Sequence, residues 1–333
     1  MTTRRSIVLG VAALAGMVGA CTPEILDNTA LVDEPAVLAA QASPAEVRPG
    51  APVTLRALDV VPGGPVTRTL DWAYCTRRPS LATPGTLSPE CYGATGPALV
   101  GLGAGGTVAG TLPRSVCESF GPDQPTPLPG QPAGRPADAD GTGGYYQPVR
   151  ILPPEAPLPV AFGVRALCNL AGATPAQQAE RDRRYRPNAN PTLTGLTLGG
   201  ATVPAWESDT AAVTPVPAGA ALSLTASWPS CPDGPETEGP MAAGCGGSEP
   251  FVWFDPVARV FTVRREEIVV AWFATAGRLA TARTGRTEAE ASTFNDSSNQ
   301  WTAPATTGDV WVWVVMRDPR GGVGWSSYHL RVE

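Results

Sequence analysis

The chain contains no lysine; all 24 of its basic residues are arginine. It contains a single histidine, His329. One imidazole cannot assemble a histidine-rich metal site. A Ser-His-Asp triad would have to take His329 as its base, and no Gly-x-Ser-x-Gly segment supplies a nucleophile elbow. His329 lies on the last expected strand, on the face opposite Tyr328, Leu330 and Val332. Cys-x-x-Cys pairs are missing, which argues against zinc. Acids number 30 against those 24 cations, for a formal net charge of −6, and no basic block occurs. An acidic surface repels phosphate backbones, so nucleic acid is excluded as a partner. No apolar run reaches the roughly 20 residues that a membrane-spanning helix needs. Neither a cofactor nor a metal is expected.

Glycine and proline are what the chain has in quantity, 37 of each in 333 residues. That is about double the usual share. Hydrophobic residues still make up 43%, enough for real cores. The length suits about two domains. The combination predicts an all-β chain with long Pro/Gly-rich loops.

The N-terminus reads Met1-Thr2-Thr3-Arg4-Arg5-Ser6, then an apolar run from Ile7 to Ala20, then Cys21. A charged start and a run of about 14 residues fit a cleaved signal peptide better than a membrane helix. Val18-Gly19-Ala20-Cys21 resembles the lipobox of bacterial lipoproteins, although that family more often has Leu where Val18 stands. The resemblance implies that residues 1–20 are removed. It also implies that the Cys21 sulfur carries a diacylglyceryl group and that the new N-terminus carries an acyl chain such as palmitate. One acyl chain binds a membrane marginally; several anchor firmly, at about 0.8 kcal/mol per buried methylene. Thr22 stands where an inner-membrane retention signal would place Asp, so the family rule points to the outer membrane. Residues 21–35, punctuated by Glu24, Asp27, Asp33 and Glu34, are expected to form a lipidated tether.

Six further cysteines remain: Cys75, Cys91, Cys117, Cys168, Cys231 and Cys245. An even number in an exported chain predicts disulfides, with 15 pairings open. Cys231 and Cys245 share one Pro/Gly-rich segment and are paired first. Cys75–Cys91 with Cys117–Cys168 is one arrangement of the other four; Cys75–Cys168 with Cys91–Cys117 stays open. Closing a loop of about 15 residues contributes about 3 kcal/mol in the chain-entropy account.

Strand patterns organise the remainder into 36–190 and 191–333. Val37–Ala42 opens the first unit, Arg48-Pro49-Gly50 turns, and Pro52–Asp59 alternates with period two. Thr67–Cys75 follows and bears Trp72. This order resembles the A, B and C strands of immunoglobulin-like bacterial surface domains, which implies that Trp72 packs between two sheets. From Thr76 to about Gly144 the pattern breaks, and irregular excursions pinned by cysteines are expected there. Tyr145–Ile151 and Leu158–Cys168 return to strand character. Thr174–Arg184 is the one helix expected, with Thr174 as cap and Pro175 in the first turn. In the second unit Ala221–Trp228, Phe251–Phe254, Val260–Val263 and Glu267–Ala274 read as strands. Val310–Met316 and Gly324–Val332 form a closing hairpin similar to that of immunoglobulin-like and PKD-like modules. The expected architecture is therefore two tandem immunoglobulin-like β-sandwiches with one short helix.

Few residues suggest chemistry. Asp138-Ala139-Asp140-Gly141 resembles the start of a calcium loop but lacks the later Glu. Glu266 and Glu267 are adjacent, so on a strand they point to opposite faces. Asp318, in the final hairpin, reads as a turn residue that accepts from local N–H groups. Trp311 and Trp313 share one face of a strand whose other face is also apolar. One face is core; the other is covered, or with Trp325 forms an exposed aromatic patch suited to a sugar ring. The reading is a non-enzymatic envelope lipoprotein, a binding or structural module held to the membrane by its lipid and meeting a protein or polysaccharide partner. The alternative is a carbohydrate-binding module or carbohydrate-active enzyme, which needs two carboxylates about 5–9 Å apart beside those tryptophans.

Overall fold

Alternating side chains set the first strands. β1 (Ala36–Ser43) stops at Pro44, and the chain resumes as β2 (Glu46–Val47) in a different sheet. β3 (Pro52–Val61) returns antiparallel to β1 and points Val53, Leu55 and Ala57 inward. β4 (Gly64–Pro65) doubles back on its end. β5 (Asp71–Cys75) carries Trp72, fully buried, whose indole N–H donates to the Gly105 carbonyl at 2.8 Å. β6 (Leu99–Ala104) and β7 (Thr107–Thr111) follow, then the short helix α1 (Val116–Phe120). β8 (Gly144–Leu152), β9 (Val160–Leu167) and helix α2 (Pro175–Arg184) complete this half. One sheet joins β1, β3, β4 and β7; the facing sheet runs β2-β9-β8-β5-β6, with β2 parallel to β9. These elements belong to a computed structural model that describes residues 30–80, 85–122, 140–154, 156–208, 211–232 and 244–333.

The second half repeats the plan. β10 (Gly195–Leu198) and β11 (Ala201–Val203) form a hairpin over Gly199 and Gly200, both at positive φ where a side chain would be strained. β12 (Thr214–Val216) and β13 (Ala221–Ser227) come next, then the hairpin of β14 (Pro250–Phe254) and β15 (Phe261–Arg265). β16 (Ile268–Ala274), β17 (Arg278–Leu279), β18 (Arg283–Arg286) and β19 (Asp296–Thr302) lead to the closing pair, β20 (Gly308–Arg317) and β21 (Val323–Val332). The sheets run β11-β10-β13-β19-β17 and β12-β21-β20-β16-β18, with β12 parallel to β21. Trp228, Trp272, Trp301 and Tyr328 fill the space between them.

The two halves share a common plan, to which the second adds one sheet strand and the β14–β15 hairpin. An opening strand pairs with the second, a short offshoot runs parallel to the last, and the third bears a buried tryptophan, Trp72 or Trp272. Strands A, B and E thus face A′, G, F, C and C′, the immunoglobulin-like arrangement. The fold is all-β, two such sandwiches.

They are not separate beads. The β1–β3 sheet of the first sandwich lies against the β16–β20–β21 sheet of the second. Ala39, Leu58 and Val60 meet Ala271, Trp313 and Val315 in a shared apolar layer. A bulge between Val37 and Ala39 shifts the register of β1 at this layer, where Leu38 and Ala39 both pack. β20 is consequently buried on both faces: Val310, Val312, Val314 and Met316 enter its own core, while Trp311, Trp313 and Val315 enter the shared layer. A strand covered on both sides reads as a continuous apolar run, which is what Val310–Met316 is. Four sheets stack around three apolar layers.

Several expectations need correction. Leu99–Thr111, read as irregular, forms β6 and β7, which bind one to each sheet of the first sandwich. Besides the expected helix α2, the described residues include the single-turn α1, which holds Cys117. β18 and the polar β19 were not foreseen. The described end of the expected tether is docked: Val32 N–H donates to the Ala274 carbonyl at 2.8 Å, and Ala274 N–H donates to Ala30 at 2.9 Å. Trp311, Trp313 and Trp325 are no exposed patch. Trp311 and Trp313 are buried and Trp325 half-buried, because the first sandwich covers the face they share.

Candidate functional site

The densest chemistry lies where the sandwiches meet. Glu46 on β2 accepts from Arg165 Nε of β9 at 3.1 Å, from the Tyr185 hydroxyl at 2.8 Å and from Asn188 N–H at 3.0 Å. Tyr185 and Asn188 belong to the connector after α2. Arg165 also meets Asp140 at 3.0 Å and Tyr146 OH at 3.1 Å, and it bonds the Thr142 hydroxyl. From the second sandwich, Arg320 donates to Glu266 at 2.7 Å, Glu249 at 3.2 Å and the Arg186 carbonyl at 3.1 Å. Asn188 Nδ2 donates to Asp318 at 2.9 Å, closing a bridge between the halves. Glu46, Arg165, Glu249, Glu266 and Arg320 are all buried.

Burial governs the titration of this cluster. It pushes the Glu266 carboxyl up to about 8, and nearby Asp318 and Glu249 push the same way against Arg320. It raises Asp318 too, against Arg320 and the N–H groups of Gly322 and Arg320. Arg320 stays firmly charged: the carboxylates around it outweigh the cost of its burial. Buried charges without partners are costly, and breaking such a pair typically costs 3–5 kcal/mol. The cluster has the character of a lock between the sandwiches, since the buried carboxylates of Glu46, Glu249 and Glu266 face guanidinium, hydroxyl and backbone N–H groups.

Other contacts reinforce the junction. Arg56 stacks over Trp325 at 4.3 Å, Gln41 bonds the Val323 carbonyl, and Arg317 donates to the Leu38 carbonyl at 3.0 Å. Gly64 sits against Trp311, where an added Cβ would lie 2.6 Å from the indole. The β14–β15 hairpin leans on the first half: Phe254 N–H donates to Gly141 at 2.7 Å, and Gln177 of α2 donates to Arg259 at 3.0 Å. Beside the lock a cleft of about 570 Å³ opens between β9, β1 and the β20–β21 turn.

The cysteines pair as Cys75–Cys91, Cys117–Cys168 and Cys231–Cys245, with Cα separations of 5.7, 5.6 and 5.7 Å. Cys21 lies outside the described residues, as does Asp138 of the calcium-like stretch. Asp140 of that stretch is held by Arg165 and by Thr142 N–H at 2.7 Å. Among the described residues no cluster of three or more His, Cys, Asp or Glu could hold a metal ion. His329 stacks flat on Trp311 with centroids 4.3 Å apart and meets Asp309 at 3.1 Å. Asp318 accepts from Arg320 N–H at 2.8 Å and Gly322 N–H at 2.9 Å, the turn role read from sequence. Glu266 is buried and Glu267 exposed, on opposite faces. The lock itself was missed: Glu266 lies in the two-residue link between β15 and β16, and no sequence pattern marks it as buried.

No family model matches the chain. No curated protein matches it either. Among solved structures, the D00-D0 domain of intimin aligns over 88% of this chain and 99% of its own, at 8% identity and a TM-score of 0.21. The adhesin InvE of Yersinia pseudotuberculosis aligns over 89% of this chain and 58% of its own, at 10% identity and a TM-score of 0.21. A protein of unknown function from Porphyromonas gingivalis aligns over 88% of this chain and 99% of its own, at 8% identity and 0.18. Similarity this loose carries no functional weight. The immunoglobulin-like assignment rests on strand order alone.

Proposed function

We propose that the chain is a lipid-anchored lipoprotein of the bacterial cell envelope, with no catalytic role. Its two sandwiches, 36–190 and 191–333, act as one rigid binding or structural module. The observation that carries the reading is the fusion of the sandwiches through a buried tryptophan layer and a buried ionic lock. Such fusion transmits position and orientation, which a spacer or docking module needs. Three disulfides suit the oxidising space outside the cytoplasm. The outer membrane is the expected address. Eight residues, 22–29, separate Cys21 from the docked Ala30. At about 3.3–3.6 Å per residue they hold the second sandwich within about 30 Å of the acylated cysteine. The polysaccharide alternative lacks its aromatic platform, because Trp311 and Trp313 are covered. A protein partner is favoured.

Metabolic labelling with a palmitate analogue tests the anchor. The wild-type chain is expected to take up label and a Cys21→Ser chain none. Equal labelling of the two rejects the reading.

A further inference from the structure

The cleft beside the lock has a structural origin. β2 pairs with β9 only at Arg165 and Ala166, because β1 spends its length in the other sheet before Pro44. The earlier part of β9, Val160–Gly163, pairs with β8 on one edge, and on the other lines an opening of about 570 Å³ where no strand meets it among the described residues. That size falls within the range of small-molecule sites, roughly 300–1,000 Å³. Leu38 and Val323 form the opposite wall, with Phe120 and Phe162 also lining it. These apolar residues want an apolar occupant.

The charge at the cleft is lopsided. Arg317 lines it and is largely buried, which lowers its pKa. Its hydrogen bond is to the neutral Leu38 carbonyl, and no carboxylate lies within ion-pair distance among the described residues. The charged group that acts on it is another cation, Arg283. The carboxylate in the lining, Asp140, is already held by Arg165 at 3.0 Å. A half-desolvated guanidinium without a counter-charge gains most from an anion, and a charge-assisted pair is about twice as strong as a neutral one.

We propose that this cleft binds a single-chain amphiphile with one anionic head, of fatty-acid type. Its apolar chain lies along Val160–Gly163 and its head pairs with Arg317. The site is independent of the lipid on Cys21.

The test uses the full chain carrying Cys21→Ser, so that no attached acyl group competes. Laurate, 1-dodecanol and dodecyltrimethylammonium are titrated below their aggregation limits by calorimetry. Saturable one-site binding of laurate is expected, at least about tenfold tighter than dodecanol, with none of the cation. Arg317→Met should erase that preference and Arg317→Lys should keep it. Ala161→Trp, an exposed position lining the cleft, should abolish laurate binding while leaving the fold intact by circular dichroism. If Arg317→Met does not fold, the Lys and Trp variants decide. Equal affinity for laurate and dodecanol overturns the proposal, as does unchanged laurate binding in Ala161→Trp. So does capture of a short capped β-strand peptide by a chain that ignores laurate, which would mark β9 as a strand-addition edge.

Discussion

Glu266 is fully buried in the folded chain, beside Glu249 and Asp318 and facing Arg320. Its carboxyl rises from an ordinary 4.5 to about 8. Between those values the folded state keeps a proton that the unfolded chain has lost. Stability therefore falls as pH rises from about 5 to 8, by at most about 1.4 kcal/mol per pH unit from this group. Asp318, also raised by burial, adds a slope of the same sign. Glu266→Gln copies the protonated form and keeps an acceptor for Arg320, so it should flatten the profile. Urea unfolding at pH 5.5 and 8 measures this; parallel profiles for the two proteins would show that Glu266 is not the titrating group. Gly64 makes a second prediction at this scale. Its φ is 128° and Trp311 occupies the place of a Cβ, so Gly64→Val should cost about 1–3 kcal/mol through overpacking and strain, read from the unfolding midpoint. Local roles were legible at this scale, as the turn role of Asp318 shows. The pairing of Glu46 with Arg165 was not, because 119 residues separate them and no pattern in either strand singles out its partner.

Elements with strong periodicity could be read directly. Pro52–Val61 and Val323–Val332 were recognisable because apolar residues recur at every second position, and Ile268–Ala274 and Val310–Met316 because they are short continuous apolar runs. The helix at Pro175–Arg184 was recognisable from its cap, and Thr174 with Gln177 forms a full capping box. β6 and β7 were not. Their Gly- and Ala-rich sequence has little strand preference, and pairing with β5 and β3 decides their conformation. Gly110 fits there because a Cβ would press on Leu102 at 2.8 Å. β19 was hidden by polar residues: Ser297 and Asn299 are buried and satisfied by Thr284 and Thr281. At this scale the disulfides are ranked by the loop they close. Cys117–Cys168 spans 51 residues and Cys231–Cys245 only 14. Replacing the first pair by serine should cost about 4 kcal/mol and the second about 3, as urea midpoints would show; the reverse order would mean that strain or residual structure dominates loop entropy.

At the scale of the whole molecule, tandem strand patterns gave two sandwiches but not their mutual packing. The hint was present in Val310–Met316, apolar on both faces, since a two-sided apolar strand needs a cover on each side. Which element supplies that cover depends on Ala39, Leu58 and Val60 presenting a second face on a sheet that already has a core. Small residues on β1 allow that sheet to be buried twice. Trp313→Ala, at the centre of the shared layer, should cost about 3–5 kcal/mol and loosen both sandwiches together. The central claim is that the four sheets move as one body. Pulsed electron–electron resonance between spin labels at Val100 and Gln300, exposed positions on the two outermost sheets, measures this most directly. One narrow distance distribution, unchanged by salt, is predicted for the wild type. A broad or bimodal distribution would contradict it and return the sandwiches to a flexible string.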